Sequence, residues 1–88
     1  MRYKMTEDEE RFVQGRIDEL VRSGGHADFT GTTISPDNLR TAMRRNGFDE
    51  LYLDSNAMDN WCRFERADAG VFTMFFNAES FDLILEKG

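Results

Sequence analysis

The stretch WCRFERADAGVFTMFF, residues 61–76, contains two apolar-rich runs separated by a short polar turn. This pattern predicts a β-hairpin. The turn is Asp68-Ala69-Gly70, in which the glycine can adopt the positive φ that a three-residue hairpin loop requires. A loop of this kind predicts that Phe64 pairs with Met74.

Side chains alternate between the two faces of a strand, so one face of the hairpin is apolar. We predict that this face carries Cys62, Phe64, Phe72, Met74 and Phe76. Such a face must be covered, and the helical segments that precede the hairpin are the candidates to cover it.

Two helices are predicted before the hairpin. Thr6 and Glu9 form a capping-box pattern, and the apolar stripe that follows ends at Ser23-Gly24. The second helix has Ser35 as its cap and Pro36 as its first residue. Residues 26–33 between the helices have no period and predict a loop.

From Phe48 onward the apolar period changes to two, which predicts strands. Leu51 and Leu53 would then point inward. The final segment, residues 81–86, fits a strand with Phe81 inward or a short helix, and we favour the strand. The predicted fold class is α+β: two N-terminal helices on one face of a four-stranded antiparallel meander, in the order α-α-β-β-β-β, as one domain over residues 1–88.

Charge is distributed unevenly along the 88 residues. Residues 1–45 contain 8 acids and 8 bases, whereas residues 46–88 contain 9 acids and 3 bases, so the second half accounts for the net charge of −6. An acidic surface repels nucleic-acid phosphates and attracts basic proteins. With one cysteine, no signal-peptide pattern and no membrane-length apolar run, we expect a cytoplasmic protein that binds neither membrane nor nucleic acid directly.

No pattern in the sequence predicts catalysis or a cofactor. His26 and Asp28 with Cys62 are the residues that most resemble a nucleophile system, but Cys62 lies on the predicted core face, where a thiol is inert. Asp54 and Glu65 have the spacing of the ends of a calcium loop, but the residues between them lack the required oxygens and glycine. We therefore expect no enzyme, no metal and no cofactor.

Three arginines on the second helix, Arg40, Arg44 and Arg45, resemble a DNA-binding face. The connection between the helices is too long for a helix-turn-helix, and the chain is acidic. A solvated arginine face is the simpler interpretation.

The sheet face away from the helices is the predicted site. An apolar and aromatic centre rimmed by carboxylates is typical of a protein interface. The predicted protein-binding residues are Glu50, Tyr52, Asp54, Asp59, Trp61, Glu65, Phe75 and Asp82.

These observations favour a non-enzymatic acidic domain that inhibits a basic, nucleic-acid-binding protein such as a nuclease. Phage-encoded anti-CRISPR proteins are similar to this chain in size and charge, though in no motif. The alternative hypothesis is a homodimeric structural or regulatory domain whose arginine-bearing helix contacts nucleic acid or an acidic partner.

Overall fold

The computed structural model describes residues 4–55 and 59–88, except for the side chains of Tyr52, Ser55 and Asp59. This part of the chain forms two helices and five strands. In chain order they are α1 (Glu7–Ser23), β1 (His26–Asp28), α2 (Pro36–Arg45), β2 (Asp49–Ser55), β3 (Asp59–Arg66), β4 (Gly70–Asn77) and β5 (Asp82–Lys87). The predicted α+β class is confirmed.

Both helices begin where their capping residues predict. The Thr6 hydroxyl accepts a hydrogen bond from the Glu9 N–H at 3.1 Å, and the Thr6 N–H donates to the Glu9 carboxylate at 2.9 Å. Ser35 accepts from the Asn38 N–H at 3.1 Å, with Pro36 as the first helical residue. These bonds satisfy N–H groups that have no partner within the helix, so local sequence determines both starting points.

The sheet contains a strand that the sequence analysis missed. Its order is β1-β5-β4-β3-β2, and all neighbours are antiparallel. Strands β2 to β5 form a meander, but β1 lies in the segment predicted as a loop and pairs with β5. The predicted four-stranded α-α-β-β-β-β order is therefore wrong, since a short strand between the helices adds a fifth strand at one edge.

The hairpin of β3 and β4 is confirmed, but its predicted register is not. Phe64 pairs with Phe72 and Cys62 with Met74, a shift of two residues from the prediction. The turn closes one step earlier than predicted, with Arg66 opposite Gly70 and Gly70 at φ +89°. A shift of two residues preserves the face of every side chain, so the predicted core face is retained.

A β-bulge between Glu50 and Tyr52 breaks the alternation of β2. Because of this extra residue, Glu50 pairs with the inward-facing Phe64, whereas Tyr52 pairs with the outward-facing Arg63. Leu53 pairs with the inward-facing Cys62, so its predicted inward position is confirmed, although it is 46% exposed along this edge strand. Leu51 lies in the bulge and is 50% exposed. Neither leucine is part of the buried core.

The final segment is a strand, which resolves the choice between strand and short helix. It begins at Asp82. Phe81, predicted as an inward residue of this strand, instead lies in the turn before it and is 71% exposed.

One hydrophobic core joins both helices to the inner face of the sheet. The helices contribute Val13, Ile17 and Leu20 from α1 and Leu39, Ala42 and Met43 from α2. The sheet contributes Ala27, Cys62, Phe64, Phe72, Met74, Leu83 and Leu85. Among the described residues, no helix combines the length and apolar character needed to cross a membrane.

Candidate functional site

The candidate site is the outer sheet face, the surface of the sheet opposite the two helices. Cross-strand register assigns to it His26, Asp28, Asp49, Asp54, Trp61, Arg63, Glu65, Val71, Thr73, Phe75, Asn77, Asp82, Ile84 and Glu86. None of these residues is buried, in contrast to the inner face. The outer sheet face is therefore available to a partner.

A single row of side chains crosses all five strands of this face. Asp54 pairs with Trp61, Trp61 with Phe75, Phe75 with Ile84, and Ile84 with Asp28. The three apolar residues are half-buried, and the two carboxylates at the ends are exposed. Directly opposed residues on one face touch, so this row is a continuous apolar strip with an acid at each end.

Arg63 lies beside this strip. Its guanidinium carbon is 5.4 Å from the centroid of the Trp61 ring, a cation–π distance. Arg63 therefore covers part of the indole, and Phe75 and Ile84 form the adjoining apolar surface.

The carboxylates of the outer sheet face take no part in ion pairs among the described residues. They are Asp28, Asp49, Asp54, Glu65, Asp82 and Glu86. On the helical side, by contrast, Glu10 pairs with Arg45, and Asp37 with Arg40. Unneutralised negative charge is thus concentrated around the apolar strip.

Two of these carboxylates are held by neighbouring polar groups. Hydrogen bonds from Thr30, whose N–H lies 2.8 Å from Asp28 Oδ1, lower the pKa of the Asp28 carboxyl. Asp82 Oδ2 lies 2.9 Å from the Ser80 hydroxyl. Both acids therefore have fixed positions at the rim of the face.

Glu50 was predicted to belong to this rim, and its predicted outward position is wrong. The bulge turns it to the inner face, where Arg40 donates to it at 3.0–3.2 Å and Arg44 at 3.3 Å. The hydrogen bonds from Arg40 lower the pKa of the Glu50 carboxyl. This acid is neutralised by α2 and adds nothing to the charge of the outer sheet face.

The other predicted site residues are distributed as follows. Five of them lie together on the outer sheet face: Trp61, Phe75, Asp54, Glu65 and Asp82. The side chains of Tyr52 and Asp59 are outside the part of the chain that the structure describes.

Two carboxylates of the outer sheet face, Asp28 and Glu86, are not among the predicted protein-binding residues. Asp28 reaches the face through β1, which gave no periodic signal because it is three residues long. The alternation of the last strand predicts that Glu86 faces outward, and the register confirms this position.

His26 and Cys62, the weak candidates for catalysis, lie on opposite faces of the sheet. His26 is exposed on the outer face, and Cys62 is fully buried in the core. Burial, together with the nearby Glu50 carboxylate, raises the pKa of the Cys62 thiol to about 11. The two side chains do not form a nucleophile–base pair.

The segment resembling a calcium loop includes residues 56–58, which are outside the described part of the chain. Within residues 4–55 and 59–88, no group of three or more histidine, cysteine, aspartate or glutamate side chains is arranged to hold a metal ion.

The arginines of α2 line a groove of about 830 Å³ together with Lys4. Arg40 and Arg44 bind Glu50, and Arg45 lies 3.5 Å from Glu10. These ion pairs partly neutralise the arginines, so less positive charge is left for a phosphate or an acidic partner.

Comparison of the chain with protein-family models, with curated proteins and with solved structures gave no match.

Proposed function

We propose that this protein is a non-enzymatic binding domain whose outer sheet face occupies a basic surface of another protein. The partner is a nuclease or another nucleic-acid-binding protein, and the domain acts as a stoichiometric inhibitor, as anti-CRISPR proteins do. The observation that carries the proposal is the apolar strip of Trp61, Phe75 and Ile84, surrounded by carboxylates that form no ion pair with another described residue.

The two components of this surface have different roles. Carboxylates that no described base neutralises attract lysine and arginine side chains, which accelerates association and displaces nucleic-acid phosphates. The aromatic strip excludes water at the centre, where a few large side chains supply most of the binding free energy. Together they favour a basic protein over a neutral one.

The test compares three immobilised proteins as baits in a lysate of the native host. They are the wild type, an outer-face variant with Asp54→Lys, Trp61→Ala and Glu65→Lys, and the control Arg45→Ala on the helical side. Circular dichroism first verifies that all three are folded. We expect the wild type and the control to retain one protein that the outer-face variant loses.

The retained protein is then purified and titrated with the wild type in the presence of its labelled nucleic acid. We expect displacement of the nucleic acid at one equivalent of the domain. Retention of the same protein by the outer-face variant, or a stable ternary complex with nucleic acid, would contradict the proposal.

A second candidate function is a homodimeric structural domain joined along β2. The observation that favours it is the exposure of Leu51 and Leu53, at 50% and 46%, on an edge strand whose outer side pairs with no other described strand. Sedimentation velocity distinguishes the two candidate functions. The structural domain is expected to be a dimer that Leu53→Lys converts to a monomer, whereas the proposed inhibitor is expected to be a monomer. The ion-paired arginines of α2 do not support a nucleic-acid contact in either case.

A further inference from the structure

Phe81 combines two properties that are unusual for a phenylalanine. It is 71% exposed, and its φ is +61°, in the left-handed region. It occupies the last position of the turn between β4 and β5, directly before Asp82 of the outer sheet face.

The turn that carries Phe81 is held in one conformation by side-chain hydrogen bonds. The Oδ1 atom of Asn77 accepts from the Glu79 N–H at 3.0 Å and from the Ser80 N–H at 2.8 Å. The Ser80 hydroxyl is within 2.9 Å of Asp82 Oδ2. The aromatic ring therefore projects from a preorganised support.

Folding does not account for a phenylalanine at this position. A left-handed backbone is costly for a bulky side chain, and glycine or asparagine adopts it far more readily. Phe81 gains little burial in return, in contrast to Phe29, which is 1% exposed in the core. Strained residues of this kind cluster at binding and functional sites.

We propose that Phe81 is a second aromatic anchor, which inserts into an apolar pocket with a lysine- or arginine-lined rim on the partner protein. This inference rests on the proposed function, because it assigns Phe81 to the same complex as the outer sheet face. Glu79 and Asp82 flank Phe81 in the sequence, and residues 77–82 include no base. A basic rim around the partner's pocket is the chemistry that complements an exposed aromatic ring on an acidic turn.

The test uses Phe81→Asn, which removes the ring and suits the left-handed backbone. The variant should have a melting temperature about 4 °C higher than the wild type, since the backbone strain is relieved. Its dissociation constant for the purified partner should be about 30-fold or more above that of the wild type, the loss typical of a buried aromatic anchor. Phe12→Ala, which truncates a 44% exposed phenylalanine on the helical side, should leave the dissociation constant unchanged.

The possible results separate the proposal that Phe81 is an anchor from the proposal that the outer sheet face is the interface. A higher melting temperature with unchanged affinity would overturn the anchor, and a lower melting temperature would show that Phe81 serves folding and would also overturn it. If Phe81→Asn weakens binding and Trp61→Ala does not, the anchor is supported and the outer sheet face fails as the interface. If Trp61→Ala weakens binding and Phe81→Asn does not, only the anchor fails. If the wild type retains no protein from the lysate, both proposals fall.

Discussion

Arg40 on α2 binds both carboxylate oxygens of Glu50 on β2, with nitrogen–oxygen distances of 3.0–3.2 Å. Both side chains are about one-quarter exposed, at 27% and 26%, so water screens this pair less than a fully solvated one. A bidentate guanidinium–carboxylate contact is strong and directional. It attaches the helix to the bulged edge strand and removes Glu50 from the outer sheet face.

We expect Glu50→Gln to lower the free energy of unfolding by about 1–2 kcal/mol at pH 7, because its charge-assisted hydrogen bonds become neutral ones. Arg40 then keeps the exposed Asp37, at 3.7 Å, as its counter-ion. The pKa of Glu50 is lowered from 4.5 by Arg40, so the stabilisation is present above pH 4.5 and is lost as the pH falls through the lower pKa of the folded state. Urea titrations of both proteins at several pH values measure the difference. It should shrink steadily below pH 4.5.

Glu65→Gln is the matched control, since Glu65 is an exposed carboxylate of the same sheet that forms no ion pair within the described part of the chain. Its effect should remain within about 0.5 kcal/mol at every pH. A Glu50→Gln difference that is constant from pH 7 to pH 3 would show that the charge of Glu50 does not act through Arg40.

Phe64 and Phe72 pair across the hairpin and are both fully buried. Replacing either by alanine should lower the free energy of unfolding by about 3–5 kcal/mol, through lost burial and the cavity that remains. Phe75→Ala on the same hairpin is the control and should cost clearly less, because Phe75 is only half-buried on the other face. Equal losses in the three variants, measured by chemical denaturation, would contradict this assignment of faces.

Cys62 should be protected from thiol reagents in the folded protein. It is fully buried, and its pKa is raised to about 11 by burial and by Glu50, so the reactive thiolate is scarce near neutral pH. Labelling with a thiol-specific reagent at pH 8 should be negligible in native buffer and complete in denaturant. Rapid native labelling would mean that the core opens locally at β3.

Local signals predicted the elements whose ends are determined by neighbouring residues. The hydrogen bonds of Thr6 and Ser35 are made within one helical turn, so both helix starts could be predicted. The alternation of Phe64, Phe72 and Met74 also predicted the core face correctly, because it depends only on the pleat of the strand.

Features that depend on distant contacts could not be predicted in this way. Strand β1 exists because His26–Asp28 pairs with residues 84–86 at the other end of the chain. The bulge at Leu51 has no glycine or other local marker, yet it reversed the position of Glu50. Phe81 is exposed and has a positive φ, whereas a phenylalanine favours burial and a negative φ. Neither hydrophobic periodicity nor turn propensity therefore indicates its position.

The last prediction concerns the kinetics of binding at the outer sheet face. Asp54→Lys and Glu65→Lys should lower the association rate for the purified partner, and the loss should shrink as salt rises, because rim charges act through screened attraction. Trp61→Ala should instead increase the dissociation rate by about 30-fold at any salt concentration, which corresponds to about 2 kcal/mol for a buried anchor. Surface plasmon resonance at several salt concentrations separates the two effects.

Arg45→Ala is the control for these rates, because Arg45 lies on the helical side and is 65% exposed in its pair with Glu10. Both of its rate constants should match those of the wild type. Unchanged binding in all outer-face variants at low salt would exclude this face as the interface. One other outcome would assign the binding surface to α2 and its groove. In that outcome, charge reversal at Arg40, Arg44 and Arg45 abolishes binding in a folded protein, while the outer-face variants bind normally.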